Sequence, residues 1–98
     1  MADGVYPAPG PLALAHAGER ARLFLVETDD APDALLKVLC VFAVQQVALA
    51  TVAFERSGGR GRVRIEADRL DGARADHLSA RLRSVPIVRG VSIGWLTA

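Results

Sequence analysis

"LVETDDAPDALLKVL", Leu25–Leu39, is the stretch on which the fold turns. It leaves an apolar run, crosses two aspartates and a proline, and enters a helical pattern within a handful of residues. Upstream, "RLFLVET" reads as a strand with two apolar faces, Leu23 and Leu25 on one and Phe24 and Val26 on the other, so the strand is central or covered on both sides. Downstream, Leu35, Leu36, Val38, Leu39 and Phe42 recur at helical spacing, with Asp30 placed to cap the helix and Pro32 in its first turn. A strand that passes so abruptly into a helix leaves the first backbone N–H groups facing open space, where an anion or a carboxylate can dock.

Working outward from the junction, Val47–Arg56 is rich in β-formers, and "SGGRG" supplies the glycines of a hairpin turn. "RVRIEAD" alternates, Val63, Ile65 and Ala67 against Arg62, Arg64, Glu66 and Asp68, which predicts one core face and one wet face. "DGARADHLSARLRSV" puts Ala75, Leu78, Leu82 and Val85 on one helical stripe. Pro86 ends that helix, and "VRGVSIGWL" forms a last strand with Val91, Ile93 and Trp95 on one face. The order β-α-β-β-α-β, with right-handed crossovers, predicts an α+β, ferredoxin-like sandwich: a four-stranded antiparallel sheet with two helices on one face. Residues 1–20, with Pro7, Pro9 and Pro11 and no periodicity, read as a flexible tail, and 21–98 as the single domain.

Composition narrows the function. A chain of 98 residues is near the lower limit of independent stability, so association is expected. A net charge of +1 lacks the basic excess of nucleic-acid or membrane-surface proteins. The third strand carries outward charges instead of stacking aromatics, which argues against RNA. Cys40 is the one cysteine, so neither a disulfide nor a multi-cysteine metal site can form, and a cytoplasmic setting follows. Cys40 falls in the apolar run of the first helix and reads as inert core. No signal peptide and no membrane span is read. The histidines, His16 in the tail and His77 on the polar side of the second helix, have no nucleophile or metal partner in the pattern, so no catalytic constellation and no cofactor are expected. Arg60, Arg62 and Arg64 read as a solvated or subunit-facing stripe, and Trp95 as a core or interface anchor.

The run Asp30, Ala31, Pro32, Asp33, Ala34, Leu35 resembles the D-x-P-G-x-L start of the first helix in ACT domains, the amino-acid-sensing regulatory modules. "ARLRSVPIVRGVSI" is similar to the closing helix and strand of acetolactate synthase small subunits, and together the likeness spans about residues 22–96. The resemblance implies a non-catalytic regulatory subunit, paired with a thiamine-diphosphate-dependent large subunit in branched-chain amino-acid synthesis. The alternative is a stand-alone homodimeric amino-acid sensor. It also implies a ligand site made by Asp29, Asp30, Ala31, Asp33, Ala34 and Leu35 at the junction with Val47, Ala48 and Leu49 at the next strand. Asp33 stands where that family commonly has glycine, and Gln46 and Ala48 stand where valine-responsive subunits tend to have Gly and Asn. The expectation is that the Asp33 carboxylate caps the helix itself and weakens feedback binding. The apolar second strand, expected at a sheet edge, invites a two-fold dimer through edge pairing.

Overall fold

The alternation in the first strand decides which residues meet. Phe24 and Val26 are fully buried, whereas Leu23 and Leu25 on the opposite face are only partly covered. The computed structural model describes residues 20–68 and 70–97; of the proposed tail, residues 1–19 lie outside the described residues and Arg20 already belongs to the first strand. The elements are β1 (Arg20–Asp29), α1 (Ala34–Val44), β2 (Leu49–Ser57), β3 (Arg60–Ala67), α2 (Gly72–Arg83) and β4 (Val88–Thr97). The sheet is antiparallel in the order β2-β3-β1-β4, so β1 is central and β2 is an edge, as expected. The second apolar face of β1 therefore reflects its interior place in the sheet, not a second covering layer.

The ferredoxin-like prediction holds, with both helices on the Phe24 side. From α1 come Ala34, Val38 and Phe42, and from α2 Ala75, Leu78 and Leu82, all essentially buried. Val38, Phe42, Ala75, Leu78 and Leu82 close over Phe24, Val26, Val63, Ile65 and Ala67 as one core. β3 buries every second residue, Val63, Ile65 and Ala67, and exposes Arg60, Arg62 and Arg64, as its alternation predicts. Gly58 and Gly59, with φ of 60° and 77°, make the two-residue turn between β2 and β3, a conformation that side chains resist. The Asp71 side chain caps α2 by accepting from the Arg74 N–H at 2.8 Å.

Helix α1 ends in a left-handed residue, Gln46 at φ 57°, as the Val47 N–H returns to the Phe42 carbonyl at 3.1 Å. Glycine takes that conformation without the Cβ clash that every L side chain meets there. Gln46→Gly should stabilise the chain by about 0.5–1 kcal/mol, a rise of a few degrees in Tm. An unchanged or lower Tm in a thermal melt would mean that the glutamine side chain compensates for the strained backbone.

Candidate functional site

The β1–α1 junction is a tight turn closed by its own backbone. The Ala31 N–H donates to the Asp29 carbonyl at 2.9 Å and the Ala34 N–H to the Ala31 carbonyl at 3.1 Å. This turn consumes Asp30 through Pro32, so α1 starts at Ala34 and Asp33, not Asp30, occupies the N-cap position. Pro32 accordingly precedes the helix instead of lying in its first turn. The expected self-capping does not occur either: Asp33 makes no side-chain capping bond, and its backbone angles of −102° and 15° differ from the extended geometry of a capping residue. Its carboxylate turns to Lys37 one turn on, at 3.3 Å.

The other two acids are held from outside the junction. Asp30 accepts from Arg56 Nε at 2.6 Å, which ties the turn to the end of β2. Asp29 receives both Nε and Nη2 of Arg89, at 2.6 and 3.1 Å. The register between β1 and β4 shifts between Glu27 and Thr28, pairing Glu27 with Gly90 and Thr28 with Val88, so Arg89 is the extra residue of a bulge. The hydrogen bonds to Asp30 and Asp29, and secondarily the carboxylate charges, hold both guanidiniums above the ordinary arginine pKa. Because the shifts are upward, what the arginines contribute through these pairs is present throughout the neutral range and is lost on the alkaline side as pH rises through their raised pKa. Sequence reasoning did not find Arg56 or Arg89 as site residues. A bulge leaves no periodic signal, and a cation at a strand end has many surface uses.

The nine residues of the sequence-derived site fall into two groups. Asp29, Asp30, Ala31, Asp33, Ala34 and Leu35 share the junction. Val47, Ala48 and Leu49 lie at the far end of the sheet, since Leu49 aligns with Ala67, which aligns with Arg22, while Asp29 aligns with Arg60 beside the hairpin. The separation along β1 is the span Arg22–Asp29, roughly 23 Å at about 3.3 Å per residue. One chain does not bring the two groups together.

The flank of α1 is the other notable surface. Leu36 and Val44 are 64% and 70% exposed, and on the β2 edge Leu49 and Val52 are 36% and 40% exposed. Cys40 lies on the same outward stripe and is exposed, which corrects the expectation of a core residue. The stripe follows from Leu36, Cys40 and Val44 being four residues apart, opposite the buried Ala34, Val38 and Phe42. At the far end of the sheet Trp95 is 41% exposed, and the guanidinium carbon of Arg22, a residue only 9% exposed, lies 3.5 Å from its ring centroid. His77 is exposed, and among the described residues no cluster of His, Cys, Asp and Glu could hold a metal and no helix is long and apolar enough to cross a membrane.

No protein-family model matches the sequence, and no curated protein matches it. Solved structures do. The ACT domain of GTP pyrophosphokinase from Chlorobium tepidum superposes with a TM-score of 0.66 at 14% identity, covering 78% of this chain and 97% of that one. The C-terminal domain of the MgtC protein from Mycobacterium tuberculosis gives 0.66 at 13% identity, covering 81% and 89%. The regulatory subunit of aspartate kinase from Thermus thermophilus, in its ligand-free form, gives 0.62 at 17% identity, covering 78% of this chain and 50% of that one. At these identities the likeness is one of architecture, and the architecture of this chain is that of the ACT domain.

Proposed function

We propose that the chain is a non-catalytic regulatory subunit of the ACT type, working in the cytoplasm on a catalytic partner of the acetolactate synthase class. The observation that carries this reading is the exposed apolar stripe of Leu36, Cys40 and Val44 on α1, together with Leu49 and Val52 exposed on the β2 edge. A helix with Lys37 as its sole charge, apolar on its outward side, suits a chain that is covered by others. The β2 edge pairs with a second copy. An antiparallel, two-fold pairing carries the second copy's Val47–Leu49 to the hairpin end of the first, where the junction lies, and so unites the two groups of the site. The ligand is an amino acid whose carboxylate approaches the start of α1. Asp33 weakens it by like charge, only partly offset by Lys37 at 3.3 Å, instead of by capping.

Reconstitution tests this. A purified acetolactate synthase catalytic subunit is assayed with and without the chain and with and without valine. Stimulation by the chain, with little inhibition by valine, is expected. The stimulation should disappear in a Leu36→Asp/Val44→Asp variant that circular dichroism shows to be folded. Absence of any stimulation overturns the subunit reading. An upward Tm shift of the chain alone with one amino acid would then favour the homodimeric sensor, since ligand at about a hundred times its Kd adds roughly 2.7 kcal/mol.

A further inference from the structure

The face of the sheet away from the helices is built of short rows that run across the strands. One row is Ala53, Arg64, Leu25 and Ser92, and the next is Thr51, Glu66, Leu23 and Gly94. Leu23 and Leu25 are only partly covered, and nothing lies within 4 Å of the place a Cβ would take at Gly94. Beside the leucines stand two opposite charges, with Arg64 Nη2 3.3 Å from Glu66 Oε2. The two rows answer each other position by position: leucine to leucine, arginine to glutamate, small residue to small residue.

We propose that this face stacks on the same face of a second copy, about a two-fold axis that lies across the strands between the two rows. Such an axis exchanges the rows, so Leu25 of each copy comes over Leu23 of the other, and Arg64 over Glu66. The charges then form a square of alternating sign, each with one opposite neighbour along its own strand and another across the interface. A slip of the axis onto either row would set arginine over arginine or glutamate over glutamate, so charge fixes the register. Stacked sheets lie about 10 Å apart, a gap that facing leucines fill and that arginine and glutamate span together. The rotation of about 30° between twisted sheets displaces the outer rows most and these central rows least. The overlap, about four strands at 4.8 Å by four rows at 6.8 Å, is roughly 500 Å² per copy. A total of about 1,000 Å² is the lower bound of a specific interface, so the association is weak and the dilute chain leaves the face open. The stack leaves the β2 edge and the outward stripe of α1 untouched and does not rest on the regulatory reading.

Sedimentation velocity of the full chain from about 10 µM to about 1 mM, where small transient interfaces associate, tests it, with folding checked by circular dichroism. The average mass is expected to rise towards double across this range, from monomer to dimer or, where the β2 edge is already paired, from dimer to tetramer. Arg64→Glu surrounds the axis with acids alone and Glu66→Arg with arginines alone, so each should weaken this step about tenfold or more. Mixed in equal amounts, the two variants should associate at least as tightly as the unaltered chain. Arg64→Glu/Glu66→Arg, which restores the alternating square, should regain self-association. Pairing through the β2 edge predicts none of these reversals, since neither residue lies on β2. A mass that stays constant to the top of the range overturns the inference. So does a step that Arg64→Glu leaves unchanged, or a mixture no more associated than its separate components.

Discussion

Phe24→Ala is expected to bring the chain to or near its unfolding midpoint at 25 °C. Phe24 is fully buried on the central strand, and its ring meets that of Phe42 edge to face, with centroids 5.1 Å apart and planes at 83°. Truncating a buried phenylalanine costs about 3–5 kcal/mol in lost transfer energy and cavity. The aromatic pair is worth roughly 0.5–1.5 kcal/mol beyond its buried area. A domain of this size has on the order of 5–10 kcal/mol in total. Urea unfolding followed by circular dichroism should show the midpoint collapse for Phe24→Ala. Leu23→Ala, one residue away on the uncovered face, should cost about 1 kcal/mol or less. Similar losses from the two variants would mean that the opposite face is also covered.

Gly61→Ala should be the second most damaging change, despite adding a single methyl group to an ordinary strand. A Cβ at Gly61 would stand 2.6 Å from Thr28 Oγ1 and 3.1 Å from Phe54 Cε1. Thr28 has nowhere to go, because it is fully buried and its hydroxyl donates to the Asp29 carbonyl at 2.8 Å. Relief requires moving β3 against β1 at the hairpin end, a cost of about 2–3 kcal/mol. The clash is specific, so Thr28→Ala should rescue part of it. In a double-mutant cycle the coupling is expected at about 1 kcal/mol or more in the favourable sense. Simple additivity would show that the loss comes from backbone preference and not from this contact.

The architecture was legible because each element has a clean period. β3 alternates, α2 repeats apolar residues at helical spacing, and Gly58–Gly59 marks the hairpin. The junction was less legible, for physical reasons. Three acids lie within the five residues Asp29–Asp33, any of them able to cap a helix, and the choice depends on a turn whose hydrogen bonds are set by φ and ψ instead of by residue type. The partners Arg56 and Arg89 come from chain segments distant in sequence, and the bulge that aims Arg89 has no pattern to betray it. Cys40 was misplaced because α1 is apolar nearly all round, so composition alone did not separate its buried face from its outward one.

The distance between Val47–Leu49 and the junction has a consequence for how a regulator of this design would behave in a cell. A binding site completed only by a second molecule exists in proportion to the dimer, and so, when the chain is dilute, to the square of its abundance. Below the dimer's dissociation constant the metabolite would meet half-sites and evoke no response, however plentiful it became. Expression level would thereby act as a second input, and the chain would report a nutrient only in cells that had made enough of the reporter.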